Sequence, residues 1–320
     1  MGGKLYFVPS ALRMVLPHKN VRFYFETQHF YGFGSCPIYW TSFLLVFELG
    51  LGFSGFYDKM PKRNKMKKEF PILEFDPSRD VKIDPRKVIK PIPGIPEFCV
   101  ICFFEEAIDK FLENHSHEII GHIKSEAVKK NIYKVDFGGT SVCLVNIFPG
   151  APVAASYIDE ISAYGCRKFL AIGGAGVFDK EIQVGKLMIP VSAVRDEGTS
   201  YHYAPPSREM DMDSRAVDVI ETYLAKNKIP FIKCKTWTTD AFYRETVKKY
   251  ELRKSEGCVA VEMECSAFIA VAKYNDVIFG QILYGGDCLD GDEWDKRDWH
   301  SREDVRYGLL EHAMKIVQGF

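Results

Sequence analysis

Two carboxylates that lie close together are the strongest chemical signal in this chain. Glu262 and Glu264 flank Met263, just before the almost wholly apolar segment 266–272. A helix this apolar would be buried, and a helix dipole favours negative charge in the first turn. The two carboxylates could cap their own helix. They could also bind vicinal sugar hydroxyls while Met263 packs on the apolar face of a ring.

Asp287 is a second acidic candidate, because it follows two glycines directly after the apolar run 277–284. An aspartate in this position could simply cap the next turn. If it is partly desolvated, its pKa would rise, and the protonated form could donate to a leaving group. A departing nucleobase would suit that role.

Gly173 and Gly174 follow the apolar run 168–172, and glycine lets a ligand approach the backbone closely. Their N–H groups could hold an anion, although a glycine-rich strand exit is also often only a tight turn. The spacing matches neither a P-loop nor a dinucleotide-binding fingerprint. Glu105 and Glu106 follow another apolar run, so they could begin a helix or reach a ligand.

Other catalytic patterns do not occur in the sequence. The eight histidines lack HExxH spacing, the nine cysteines form no CxxC, and there is no G-x-S-x-G motif. We therefore expect neither a metal nor an organic cofactor.

The elements that must position these residues alternate between apolar runs and amphipathic segments from about residue 95 onward. This alternation predicts an α/β fold, and strands that are apolar throughout predict a sheet covered by helices on both faces. Ligands collect at the carboxyl ends of strands in such sheets, where the candidates above lie. Strands are predicted at 98–104, 142–148, 168–172, 187–194, 231–236 and 277–284, and helices at 105–114, 152–164, 214–226, 247–256, 262–274 and 304–318.

Composition narrows the class of protein. With 320 residues, 47% hydrophobic and 27% charged, the chain can bury a full core, which excludes disordered, collagen-like and coiled-coil proteins. The formal charge of -1 gives no general attraction to nucleic acid or acidic lipid. Nine scattered cysteines indicate reduced thiols rather than a disulfide framework, so we expect a cytoplasmic protein.

The first 65 residues differ from the rest, because aromatic residues crowd there without a helical or alternating period. The apolar stretch 38–57 is long enough to form a membrane-spanning helix, but it contains Glu48 and several glycines, so we do not expect one. We predict that residues 1–65 are an aromatic-rich, non-catalytic extension and that residues 66–320 form the catalytic domain.

Four segments resemble the nucleoside phosphorylase superfamily of purine nucleoside and uridine phosphorylases. They are GCVAVEMECSAFIAVAKY (257–274), AIGGAGVF (171–178), VRDEGTSYHYAPP (194–206) and YGGD (284–287). They occur in the family's order from about Pro96 to the C-terminus. VEME is the most specific of them, and 194–206 resembles the uridine phosphorylase branch. The resemblance implies a single-domain, three-layer α/β sandwich with a mixed, partly barrel-like central sheet, and a homo-oligomer.

The resemblance also implies roles for individual residues. Glu264 would bind the ribose 2′- and 3′-hydroxyls, Met263 would line the sugar and base, and Glu262 belongs to the same ribose motif. Phe242 would stack on the base, and Asp287 would protonate purine N7. Negative groups beside the sugar suit a ribosyl cation, since they stabilise the charge that develops in the transition state.

The chain departs from the family where phosphate should bind. Residues 102–106 replace the family's Gly-Asp-Pro-x-Arg loop, and Ala171 and Gly174 stand where an Arg and a Ser or Thr are usual. Glu105 and Glu106 would repel a dianion, since like charges about 4 Å apart cost roughly 4 kcal/mol at an effective dielectric near 20.

Phosphate could still be held by the amides of Gly173 and Gly174, with Arg244 or Lys124 as the cation. Alternatively, Glu105 or Glu106 could orient a water, as a glutamate does in the related methylthioadenosine-type nucleosidases. Three functions stay open. They are a phosphorylase that yields free base and ribose 1-phosphate, a hydrolytic nucleosidase, and a nucleoside-binding protein without turnover.

Overall fold

Ten strands pair into one mixed sheet in the described part of this computed structural model, residues 66–320. The predicted extension 1–65 and its apolar stretch 38–57 lie outside the described residues. The strands are β1 (Phe98–Cys102), β2 (His117–Lys124), β3 (Lys129–Phe137), β4 (Thr140–Asn146), β5 (Lys168–Val177), β6 (Leu187–Asp196), β7 (Glu209–Asp211), β8 (Phe231–Thr239), β9 (Cys258–Glu262) and β10 (Ile278–Cys288).

Eight α-helices accompany the sheet in this region. They are α1 (Pro85–Val88), α2 (Glu105–Glu113), α3 (Ala151–Tyr164), α4 (Ser200–Tyr203), α5 (Ser214–Lys226), α6 (Val247–Ser255), α7 (Cys265–Asn275) and α8 (Glu303–Ile316). Short 3-10 turns cover Pro71–Leu73, Phe242–Arg244, Trp299–Ser301 and Val317–Gly319. Within residues 66–320, no helix has both the length and the apolar character needed to cross a membrane.

Part of the sheet closes on itself. The strand order is β10-β6-β8-β9-β5-β1-β4-β3-β2, and β10 also pairs with β5, so five strands form a closed ring. The other strands of the main path, β1 to β4, extend outward from β5. One group of helices packs around α7, with α3 and α4, and another packs around α8, with α2 and α5. The predicted three-layer α/β sandwich with a mixed, partly barrel-like sheet is confirmed.

Strand β5 changes partner halfway along its length, and this creates an opening in the sheet. On one edge, β5 pairs with β1 as far as Ile172 and then with β9 from Gly176. On the other edge, β5 pairs with β10 from Lys168 to Val177. The stretch between Ile172 and Gly176 therefore has a strand partner on the β10 side alone, among the described residues.

Several predicted boundaries were wrong at this opening. The glycines predicted as a loop after Ile172 continue β5, because β10 keeps pairing with them. Strand β10 likewise runs past Tyr284 and includes Asp287. The predicted helix 262–274 begins only at Cys265, after the new strand β9. Strands β2, β3, β7 and β9 were not predicted, since three of them carry exposed polar residues and all depend on distant partners.

Candidate active site

Glu262 ends β9, and its carboxylate holds the turn into α7. Its Oε1 accepts hydrogen bonds from the hydroxyls of Thr236 (3.2 Å) and Thr238 (2.6 Å). Its Oε2 accepts from the backbone N–H groups of Glu264 (2.7 Å) and Cys265 (2.6 Å). Burial raises the pKa of Glu262, and these four bonds oppose that rise by favouring the charged form. The carboxylate expected on the ribose is thus occupied by protein donors.

Glu264 is the N-cap residue of α7 rather than a residue of its first turn, where the sequence placed it. Its side chain caps nothing in α7. Instead, Oε1 accepts a 2.6 Å bond from the backbone N–H of Gly150, which precedes α3. The residue is only 6% exposed, and burial, reinforced by the charge of Glu262, raises the pKa of Glu264 to about 8. Near neutral pH it can therefore both donate and accept a hydrogen bond. Met263, half-buried, lies between the two glutamates.

The segment 194–206, which resembles uridine phosphorylases, supports the junction between β9 and α7 through buried charged side chains. Buried Arg195 donates to the hydroxyls of Ser200 (2.9 Å) and Ser207 (2.8 Å) and so fixes the loop after β6. Buried Glu197 accepts bonds from Ser200 and, at 2.8 Å, from the hydroxyl of Ser266 in the first turn of α7. These charged groups therefore position α7.

Asp287 of β10 lies on the opposite edge of β5 from Glu262 and Glu264. Both the end of β9 and the Asp287 carboxyl, however, lie close to Gly176 of β5. A Cβ atom on Gly176 would lie 3.2 Å from Val261 of β9 and 3.4 Å from Asp287 Oδ2. Asp287 Oδ2 also accepts a 2.6 Å bond from the indole N–H of Trp294. The end of β9 and the Asp287 carboxyl thus converge at the end of β5.

Glu245 is an acidic residue near this site that the sequence analysis did not identify. It follows the 3-10 turn Phe242–Arg244 and is half-buried. Burial, and then the charge of Asp287, raise the pKa of Glu245 to about 7. Phe242, the residue expected to stack on the base, is 52% exposed, with its ring centroid 4.2 Å from that of Tyr243. No local motif marked Glu245, because its burial depends on how the turn folds back.

Aromatic rings cover both glycines that were expected to bind an anion. A Cβ on Gly173 would lie 3.2 Å from the Phe103 ring, and one on Gly174 would lie 3.3 Å from the Tyr284 ring. The Tyr284 hydroxyl accepts a 3.1 Å bond from Arg306 Nε and donates to a backbone carbonyl at 3.0 Å. Glycine is therefore needed here because the rings lie so close.

Arg306 connects the glycine stretch of β5, through Tyr284, to Glu106 of α2. Its Nη1 donates a 2.6 Å bond to Glu106, while Glu105 pairs with Lys130 Nζ at 2.7 Å. Arg306 could not be identified from the sequence, since an arginine in an amphipathic helix normally faces solvent. Arg244 and Lys124, the cations suggested from sequence, are both exposed.

Across residues 66–320, no cluster of three or more His, Cys, Asp or Glu side chains could hold a metal ion. The eight cysteines in this range are free and buried.

Comparisons with known proteins agree with this architecture. The family model described as "Phosphorylase superfamily" matches residues 97–318. The chain is 26% identical over 203 residues to guanosine phosphorylase of Halorubrum lacusprofundi, a match that covers 60% of this chain and 82% of that protein. It is 28% identical over 179 residues to a DeoD-type purine nucleoside phosphorylase of Exiguobacterium sp., covering 52% and 73%. An uncharacterized protein of Acanthamoeba polyphaga mimivirus is 26% identical over 156 residues, covering 49% of this chain and 60% of that protein.

Two solved structures share the fold. Uridine phosphorylase from Vibrio fischeri superposes with a TM-score of 0.60 at 17% identity, covering 76% of this chain and 98% of that one. AMP nucleosidase from Bacteroides thetaiotaomicron superposes with a TM-score of 0.57 at 19% identity, covering 72% and 91%. The match of the family model to residues 97–318, together with this fold, shows that the chain belongs to the phosphorylase superfamily.

Proposed function

We propose that this protein cleaves the N-glycosidic bond of a purine nucleoside with phosphate, releasing the free base and ribose 1-phosphate. The observation that carries the proposal is the buried Glu264 carboxyl at the opening in the sheet, on the opposite side of β5 from the half-buried Asp287. A sugar-binding acid and a base-protonating acid are the two groups that this reaction needs.

In this mechanism, Glu264 binds the ribose hydroxyls while Glu262 holds the turn that carries it. The bond between C1′ and the base nitrogen breaks, its electron pair leaves with the base, and positive charge develops on the ribose. Asp287 gives a proton to purine N7, and a phosphate oxygen forms the new bond to C1′. Phosphate is a co-substrate, and no other cofactor takes part.

A purine is favoured over uracil for three reasons. Asp287 can give its proton only to a base with a ring nitrogen in the position of N7. The residues of 194–206 that resemble uridine phosphorylases are engaged in bracing α7, through Arg195 and Glu197. Thr246 and Lys248 stand where the uracil-reading Gln and Arg are expected.

Hydrolysis is the second candidate, and the pairing of Arg306 with Glu106 favours it. This bond neutralises the charge of buried Arg306, which reaches the glycine stretch through Tyr284 and which a phosphate dianion would otherwise use. Water would then attack C1′, and Glu105 or Glu106 would orient it.

The test is release of free base by the full chain from inosine, guanosine, adenosine, uridine and methylthioadenosine, with and without phosphate. Phosphate-dependent release of a purine, with ribose 1-phosphate as the second product, is the expected result. Release that is independent of phosphate would establish the hydrolase instead. No release from any nucleoside would overturn both and leave a binding protein.

A further inference from the structure

We propose that Glu106 is a built-in competitor for the anion site of Arg306 and determines how readily phosphate enters. The inference rests on the proposed function for the identity of the anion. Its physical basis is the set of partners around the buried guanidinium of Arg306.

Arg306 is held firmly on two sides. It is 8% exposed, and its guanidinium carbon lies 5.0 Å from the centroid of the Phe104 ring. Nε donates to the Tyr284 hydroxyl at 3.1 Å, and Nη2 donates to the carbonyl of Trp299 at 3.4 Å. Both acceptors are neutral. The third partner, Glu106, is the anion that compensates the charge of Arg306.

Glu106 is the partner that can move. Its side chain is 42% exposed, whereas Tyr284 is fully buried and its hydroxyl is fixed by two bonds. If the carboxylate turned toward solvent, Arg306 would keep its position but lose its counter-charge. A buried cation without a counter-charge is unfavourable, so another oxyanion would bind there strongly.

The position of this ion pair matches the opening in the sheet. Tyr284 lies opposite Gly174 in the β5–β10 register, and its ring covers that glycine. Glu106 is the second residue of α2, which begins three residues after the end of β1, and the last residue of β1 pairs with Ile172 beside the opening. One tyrosine hydroxyl therefore separates the guanidinium from the glycine stretch, and an anion that replaced Glu106 would lie at the edge of the nucleoside site.

The test measures binding of inorganic phosphate to the full chain by calorimetry. Glu106→Gln keeps the shape of the side chain and removes its charge. We expect its Kd for phosphate to be at least ~10-fold lower than that of the wild type, because the competing carboxylate is gone. Adding Arg306→Lys to this variant should abolish the gain, since lysine cannot present the same planar fork.

Glu118→Gln is the matched control. Glu118 is also ion-paired, to Lys134 at 2.9 Å, and its side chain is 60% exposed, but it lies on β2. Its Kd for phosphate should equal that of the wild type. If Glu106→Gln does not fold, Glu106→Asp keeps a charge in the first turn of α2 but shortens its reach, and an intermediate gain is expected.

Unchanged phosphate affinity in folded Glu106→Gln or Glu106→Asp would overturn the inference. The proposed function can fail separately, because the binding measurement needs no nucleoside. Tighter phosphate binding without base release would retain the competitor role and reject the phosphorylase. If base release depends on phosphate but the KM for phosphate is the same in the wild type and in Glu106→Gln, the phosphorylase is retained and the competitor role of Glu106 is rejected.

Discussion

Neutralising Glu264 should make the protein more stable at alkaline pH. Its pKa rises from an ordinary value of 4.5 to about 8 on folding, so the folded state binds a proton that the unfolded state has released. The stability that this proton contributes is complete below pH 4.5 and is lost as the pH rises through 8. Glu264→Gln keeps the acceptor for the Gly150 N–H but cannot ionise, and it therefore avoids this loss.

The size of the effect follows from the shift. Each pKa unit corresponds to about 1.4 kcal/mol, so a rise from 4.5 to about 8 gives ~5 kcal/mol as the largest loss. Part of the shift comes from the nearby charge of Glu262, which can relax as the pair titrates, so we expect about 2–5 kcal/mol.

Denaturant unfolding between pH 5 and pH 9, followed by tryptophan fluorescence, to which the buried Trp237 contributes, measures the difference. The free energy of unfolding of Glu264→Gln, relative to the wild type, should increase steadily over this range. The exposed Glu251→Gln is the control and should show no such trend. A difference between Glu264→Gln and the wild type that stays constant from pH 5 to pH 9 would refute the reasoning.

Three further outcomes are expected. Asp287→Asn should lower the turnover of a purine nucleoside by ~100-fold or more, because the amide cannot supply the proton, and full retention of the rate would remove Asp287 from the mechanism. Glu264→Ala should lower kcat/KM for the ribonucleoside but affect the 2′-deoxynucleoside less, and equal losses on both would argue against a ribose contact. Thr238→Val should lower the free energy of unfolding by about 1–3 kcal/mol, since the Glu262 carboxylate loses its 2.6 Å hydrogen bond from the Thr238 hydroxyl. A stability equal to that of the wild type would show that this hydrogen bond does not stabilise the fold.

The sequence was sufficient to predict the fold class and to place the acidic residues near the ends of apolar segments, because apolar runs, glycines and carboxylates are visible locally. It was misleading where pairing is long-range. Gly173 and Gly174 look like a loop, yet β10, more than a hundred residues later, pairs with them and makes them strand. Glu262 looks like the first residue of a helix, but Thr236 and Thr238 on the neighbouring strand bind its carboxylate.

Arg306 and Glu245 could not be predicted for a related reason. Arg306 meets Glu106 across 200 positions of sequence, and its burial depends on the rings of Phe104 and Trp299. Glu245 gains its raised pKa from burial and from the charge of Asp287, forty-two residues further along the chain. In both cases the residue type is visible in the sequence, but its environment is set only by the tertiary structure.

The acidic character of the site has a consequence for catalysis under the proposed mechanism. Burial raises the pKa of Glu264 to about 8 and that of Glu245 to about 7, so the site carries less negative charge at neutral pH than its composition implies. The carboxylate form of Glu264 attracts the positive charge that develops on the ribose, and the low dielectric of a buried site strengthens that attraction. This attraction is stronger in the transition state than in the ground state, which is the condition for an interaction to accelerate the reaction. Under the proposed mechanism, the burial that costs stability at alkaline pH therefore also strengthens the attraction between the Glu264 carboxylate and the ribosyl cation.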